Sequence, residues 1–331
     1  MKTVYVRDIK KNMFIDSEAF VVLDYSESKD KNGNTYYNIT FGDKTGKIPA
    51  KLWSQQFETA NPKLLKTGKI LSVTAKVDDF RGSLQLNVQE LKLLDETSLD
   101  EFIESSEYDP DEMIKKLFSY VKSIQNESLR KVITNILSDE EIGRKFKYWP
   151  AGNSIHHAFR SGLLQHVLEM LEIAESLKNF YTRLNFDVLT AGIILHDIGK
   201  IEELSGGLVS NYTLKGGLLG HIVLGVKIFD RFADELDENT KNHIEHLILS
   251  HHGRLEYGSP ILPATPEAIA LHYIDNLSSK LRSAFNAVDE ISDEEELGRP
   301  NYFLEGARFW KGHNSNSDES NDSDDDQISL V

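Results

Sequence analysis

The sequence predicts a multidomain α+β protein: an N-terminal β-barrel, then an all-α domain, then a disordered acidic tail. Three observations predict it. Residues 18–91 fall into five short runs of alternating or apolar residues separated by turn residues. From Pro110 to about residue 290 the apolar spacing changes from two to three or four. The C-terminal stretch HNSNSDESNDSDDDQISLV holds Asp318, Glu319, Asp322, Asp324, Asp325 and Asp326 with no Lys or Arg, the signature of a solvated, unstructured segment.

A chain of 331 residues, 40 % apolar and 27 % charged, is long enough for two cores. It has no cysteine, so disulfides, iron–sulfur clusters and thiolate zinc sites are excluded, and any metal must be held by His, Asp or Glu. The formal charge of −16 argues at first sight against a polyanionic partner. Its distribution reverses that argument for one half. Residues 1–91 carry 14 Lys and Arg against 11 Asp and Glu, a net of +3, which leaves −19 on the other 240 residues. The opening MKTVYVRDIKKNMF lacks the apolar core of a secretion signal, and no segment reaches the roughly 20 apolar residues of a membrane helix, so a cytoplasmic protein is expected.

The barrel strands are expected at EAFVVLDY, NTYYNITF, GKIPAKLW, KILSVTAKV and SLQLNVQEL. Tyr37, Ile39 and Phe41 alternate with Tyr36, Asn38 and Thr40. Lys31-Asn32-Gly33-Asn34, Asp43-Lys44-Thr45-Gly46 and Arg81-Gly82 have turn chemistry. The segment from Trp53 to Gly68 is expected to be the single helical connection. Five strands in about 75 residues suggest a small closed barrel. The order of a strand, a D-x-T-G turn, a strand ending in Leu-Trp and a further hairpin resembles the OB-fold. Lys44, Lys47, Lys51 and Lys76, with Tyr36, Trp53 and Phe80, would supply charge and stacking for a single nucleic-acid strand. Trp53 and Phe80 also suit packing at a barrel rim, and both readings stay open. The domain limits that follow are 1–95 for the barrel, 96–110 for a Ser/Asp/Glu-rich linker, 111–310 for the helices and 311–331 for the tail.

Ten of the eleven histidines lie between residues 156 and 272. In GLLQHVLEMLEIAESL, Leu163, Val167, Met170, Leu171 and Ala174 form an apolar stripe with His166 beside it. VLTAGIILHDIGK ends a buried helix on His196-Asp197 before Gly199. His221 follows on a helix whose Leu218, Ile222, Val226 and Phe229 are expected to face a core. NTKNHIEHLILSHHG should start at Asn239 or Thr240 and brings His251-His252 to its last turn. ATPEAIALHYIDNL, capped by Thr265 with Pro266 at its first position, carries Asp275 one turn after His272. A lone histidine beside a stripe is ordinary. Five successive helices each turning His or Asp inward are not, because so many buried polar groups are costly unless they bind a cation.

The order H…HD…H…HH…D, with HDIGK intact at 196–200, resembles the HD metal-dependent phosphohydrolases. NSIHHAFRSGLLQH, AGIILHDIGKIEEL, LLGHIVLG and LILSHHGRLEYGSPILPATPEAIALHYIDNL are similar to the YhaM-type 3′–5′ exoribonucleases, which carry an OB-fold before the HD domain. The resemblance spans about residues 1–300. It implies an all-α HD domain, a divalent metal with manganese the family's usual choice, and hydrolysis of single-stranded RNA or DNA from the 3′ end to nucleoside monophosphates. Two ions would share Asp197 as a bridge, with His166, His196 and Asp275 on one and His221, His251 and His252 on the other; spacing does not say which of the adjacent histidines binds. Lys200, Arg160, His157 and His156 are candidates for phosphate contact, Lys200 and Arg160 as catalytic groups and His157 as a nucleic-acid contact. His243, His246 and His272 are expected to be structural. No membrane partner is expected, and a homo-oligomer is left open. Two rivals are an HD hydrolase of nucleotides or cyclic nucleotides with a regulatory barrel, and a single-strand-binding protein without catalysis.

Overall fold

The structure, a computed structural model, describes residues 2–80, 82–94, 101–103, 105–152, 159–292 and 295–312. The expected acidic tail lies outside them from residue 313 onward. The described chain divides into two compact units, one ending at Ser278 and one starting at Ser279.

The first unit opens with five strands, β1 (Phe14–Lys29), β2 (Thr35–Asp43), β3 (Gly46–Trp53), β4 (Ile70–Phe80) and β5 (Ser83–Leu93). They close a barrel in the order β1-β2-β3-β5-β4, every pair antiparallel except β3 with β5. The period-two pattern decides which face turns inward: Ile39, Phe41, Ile48, Ala50, Leu52, Leu71, Val73, Leu86 and Val88 are all buried. β1 is longer than its sequence pattern suggested. Register shifts between Ile15 and Glu18 and between Val22 and Asp24 bend it, so its first half pairs with β4 and its second half with β2.

The connection after β3 departs from the expected helix. It holds two three-residue 3₁₀ turns, Ser54–Gln56 and Pro62–Leu64, because the Asn61 side chain accepts the Lys63 N–H and Pro62 starts a new turn. Its apolar residues still close one end of the barrel, with Ala60 and Leu65 buried and Phe57 packed against the core. The expected linker is partly fixed as well: Glu101 binds Tyr5 and Lys44, Phe102 is buried, and Ser105 forms a bridge with Arg160.

The helices are α1 (Pro110–Ser123), α2 (Glu127–Ser138), α3 (Glu140–Tyr148), α4 (Gly162–Leu177), α5 (Phe186–Leu195), α6 (Lys200–Glu203), α7 (Leu214–Asp230), α8 (Glu238–Ser250) and α9 (Pro266–Asp289). Side chains of Asp109, Asn126, Asp139, Asn185 and Thr213 accept backbone N–H groups at the starts of α1, α2, α3, α5 and α7. α8 is capped by Asp237, which accepts the Thr240 N–H, and not by Asn239 or Thr240 themselves. Thr265 caps α9 as expected. α5 is apolar on every side because α1, α2, α4 and α8 surround it. α7 is broken at Gly220 (φ 70°, ψ 159°), which resets the helical register. Leu218, expected in the core, is therefore 74 % exposed, while Ile222 and Phe229 beyond the break are buried. The second unit contains the last turns of α9, then bridges Leu297–Trp310 and Asn301–Ala307 around a short turn at Tyr302–Leu304.

The turn after α5 lies almost in contact with α7. A Cβ on Gly199 would come within 1.9 Å of the His221 carbonyl oxygen and 2.6 Å of the Gly225 nitrogen. Gly199→Ala must push the two segments apart and is expected to cost about 1–3 kcal/mol in chemical unfolding. An unchanged unfolding midpoint would contradict this close approach.

Candidate metal centre and nucleic-acid face

His196 is the C-cap of α5, and Asp197 follows it into a tight turn walled by α4, α7 and α8. The turn exposes only 3 % of Asp197. Around this carboxylate the helices bring four imidazoles. The Oδ2 atom lies 3.2 Å from His196 Nε2 and 4.0 Å from His166 Nε2, and Oδ1 lies 3.6 Å from His221 Nε2 and 3.7 Å from His251 Nε2. Asp275, one turn along α9 from His272, reaches His166 Nε2 at 3.2 Å. Two donor groups result, His166–His196–Asp275 and His221–His251–His252, each with its ligand atoms within 4.8 Å of one another. Both adjacent histidines belong to the second group.

Each ring is held by its other nitrogen. His196 Nδ1 donates to the Ile193 carbonyl at 2.8 Å, His251 Nδ1 to Ile248 at 2.7 Å and His252 Nδ1 to Tyr257 at 2.8 Å. A carbonyl only accepts, so the proton sits on Nδ1 and the Nε2 lone pair faces inward. His166 Nδ1 meets Ser278 Oγ at 3.2 Å, whose hydroxyl donates to Glu169. His221 Nδ1 meets Glu203 Oε1 at 3.1 Å. In return, Asp197 Oδ1 and the Nε2 atoms of His196, His221 and His251 are buried with no hydrogen-bond partner. Such atoms cost about 1–3 kcal/mol each when left unsatisfied. A cation between them would remove that cost, and the imidazole–carboxylate set fits Mn, Fe, Co, Ni or Zn better than Mg.

Burial by itself would raise the Asp197 carboxyl, but the nearby Lys200 charge, with His196 beside it, outweighs it and holds the group well below the usual range. Lys200 Nζ is 2.6 Å from Asp197 Oδ2. Burial opposes its charge and Asp197 more than restores it, so the ammonium keeps its proton. Arg160 precedes α4, bridged to Ser105, with its guanidinium 4.6 Å from the Tyr148 ring. His156 and His157 lie outside the described residues. His243 contacts Thr265 Oγ1, His246 accepts the Ala264 N–H, and His272 donates to the His251 carbonyl, so these three tie α8 to the start of α9. Glu203 and Ser278, which touch ring nitrogens from outside, were missed by the sequence reading. Only the position of Glu203 seven residues after His196 hinted at it.

On the barrel, Tyr36 and Trp53 are register partners with ring centroids 4.9 Å apart, and Lys51 Nζ lies 5.2 and 5.3 Å from the two rings. Asn38, Thr40 and Pro49 share that outward face. Lys44 is at the far end of the hairpin, eight residues or about 26 Å along β2, and pairs with Glu101. Lys47 and Lys76 are exposed, Lys47 on the same hairpin face. The Phe80 side chain lies outside what the structure describes.

The shifted histidines carry a pH dependence. Burial, reinforced by His196 and His252, holds His251 well below its ordinary value, and burial with His221 lowers His252. The unfolded chain takes up these protons below about pH 6.5 and the folded one does not, so stability falls with pH there. His196 is shifted upward, burial opposing and Asp197 prevailing, so its contribution grows as the pH falls from 7 and offsets part of this loss, while two lowered histidines act against one raised. Chelator-treated protein is therefore expected to melt at a lower temperature at about pH 5.5 than at about pH 7. A melting temperature that is flat or rising on acidification would rule this out.

Comparison with known proteins agrees with both halves. Residues 163–280 match the HD domain family and residues 21–94 the OB-fold nucleic acid binding domain family. Over 285 residues the chain is 37 % identical to the 3′–5′ exoribonuclease YhaM of Geobacillus sp. (strain WCH70), covering 85 % of this chain and 86 % of that relative. The second OB-fold domain of replication protein A from Methanococcus maripaludis matches at 19 % identity and a TM-score of 0.22, over 30 % of this chain and 99 % of that domain. An OB domain from Thermoplasma acidophilum matches at 17 % identity and a TM-score of 0.23, over 29 % of this chain and 89 % of that domain. An OB-fold barrel followed by an HD domain, with the order of ligand-type residues traced above, places the chain in one group: it belongs to the YhaM family.

Proposed function

We propose that the protein is a metal-dependent 3′–5′ exoribonuclease that shortens single-stranded RNA, and single-stranded DNA as well, to nucleoside monophosphates. The observation that carries the reading is the set of buried, partnerless donor atoms around Asp197. The 3′–5′ direction and the preference for RNA rest on the name of the Geobacillus relative. Two Mn²⁺ ions are proposed, with Asp197 between them, His166, His196 and Asp275 on one side and His221, His251 and His252 on the other. Bound there, the ions would neutralise non-bridging phosphate oxygens and make a water acidic enough to attack phosphorus.

The remaining work falls to the chain. Lys200, kept charged by Asp197, offers its ammonium to a phosphate oxygen at the centre. Tyr36 and Trp53 stack bases, and Lys51 beside them meets the backbone charge. Arg160 is proposed to contact a phosphate, and His157, Lys44 and Phe80 to follow the strand. Because ligands from α4, α5, α7, α8 and α9 converge on a carboxylate only 3 % exposed, a single strand is the proposed substrate and not a duplex about 20 Å wide. No described helix is long and apolar enough to cross a membrane. Cytoplasmic residence is part of the proposal. So is self-association, supported by Ile269, Tyr273 and Leu277, which form an exposed apolar row at four-residue spacing on α9.

A single strand labelled at either end, incubated with Mn²⁺, tests direction, substrate and metal need together. Monophosphates should leave stepwise from the 3′ end, and a stem-loop should stop the reaction a few nucleotides short of the stem. Efficient cutting of a circular strand would show an endonuclease and overturn the reading. Asp197→Ala should abolish hydrolysis while single-strand binding persists. Trp53→Ala should raise KM for long strands about 10- to 100-fold, as expected for a lost base stack, and leave hydrolysis of a small phosphodiester unchanged.

A further inference from the structure

The two donor groups are unequal. His166, His196 and Asp275 include a carboxylate of their own, whereas His221, His251 and His252 are three neutral rings that share only the Oδ1 side of Asp197. Among the rings, His221 is the one whose outer nitrogen faces a carboxylate. His196, His251 and His252 face backbone carbonyls and His166 faces a serine.

That carboxylate is Glu203, at the end of α6 and 8 % exposed. Its Oε1 receives two hydrogen bonds from the same residue, the His221 backbone N–H at 2.9 Å and the ring Nδ1–H at 3.1 Å. The break of α7 at Gly220 makes the first possible, because it places the His221 N–H at the start of a new helical segment with no preceding carbonyl to bind. Glu203 is itself held by its own backbone: its carbonyl accepts the Thr213 N–H, and Gly216 packs against its main chain with no room for a Cβ.

We propose that Glu203 is the positioning residue of the three-histidine group. By accepting both N–H groups of His221 it fixes the ring with the Nε2 lone pair toward Asp197. Through that ring it supplies the negative charge that this group lacks and a second divalent cation requires. A carboxylate behind a ligating imidazole raises the basicity of the ligand and holds its direction. The inference rests on the two-ion reading above.

Calorimetric titration of the chelator-treated full-length protein with Mn²⁺ tests it. The parent should show two binding events. Glu203→Gln keeps the size and one acceptor oxygen but removes the charge, and should weaken one event about 10- to 100-fold while leaving the other as it was. Asp275→Asn should weaken the opposite event, so the double variant should lose both. The kcat/KM of Glu203→Gln on a single-stranded oligonucleotide should fall with the affinity of the weakened event. Two unaltered events in Glu203→Gln would overturn the inference alone, as would equal weakening of both or a double variant no weaker than Asp275→Asn. A parent that binds no pair of ions would overturn the two-ion reading itself. Should Glu203→Gln fail to fold without metal, Glu203→Asp keeps the charge and draws it back from Nδ1. It should then weaken the same event by a smaller factor, and unchanged affinity would again overturn the inference.

Discussion

A single buried carboxylate organises the helical half of this protein. Asp197 sits in a turn where a lone anion would be strongly disfavoured, and its surroundings are arranged to keep it ionised. Lys200 contacts one oxygen, His196 and His166 approach that same oxygen, and His221 and His251 approach the other. Because the imidazoles direct protonated nitrogens outward to carbonyls, a serine and a carboxylate, their basic nitrogens are left facing Asp197 and one another. The packing follows from this convergence. α5 must be largely apolar to be surrounded by helices, and the second residue after the His-Asp pair must leave room for α7, which is why Gly199 stands there.

The same arrangement explains how a protein with a net charge of −16 can serve a polyanion. The acidic excess lies outside the barrel, whose net charge is positive. The barrel's outward β2–β3 face combines a Tyr36–Trp53 ring pair with Lys51, the residue types that hold bases by their faces without demanding a particular sequence. At the helical centre, positive charge would come from cations and from Lys200. On the proposed function, binding and chemistry would thereby be separated onto two folds with opposite electrostatic character.

Where the structure departs from the sequence reading, the reason is local backbone geometry. A helical spacing runs through Leu218, Ile222, Val226 and Phe229, yet Gly220 adopts a positive φ and breaks the helix, so Leu218 turns outward and His221 begins a new segment. The segment from Trp53 to Gly68, expected to be helical, holds a proline and an asparagine that favour short 3₁₀ turns. Asp237 rather than Asn239 or Thr240 caps α8, since several residues in a row were able to cap and only the chain's path selects one.

The sequence by itself determined the two-domain order, the alternation that builds the barrel core, and the set of His and Asp residues turned inward. These follow from short-range periodicity, because a strand repeats every two residues and a helix every three or four. The sequence order also gave both donor groups, although only through resemblance. Tertiary structure alone decided which donors meet and what stands behind them: Oδ1 of Asp197 faces His221 and His251, Oδ2 faces His196 and His166, Glu203 backs His221, Arg160 lies over Tyr148, and Lys44 at the far end of the hairpin pairs with Glu101. Those relations depend on helix crossing distances, on the break at Gly220 and on the length of a β-hairpin. Each joins residues far apart along the chain, where no periodic pattern reaches.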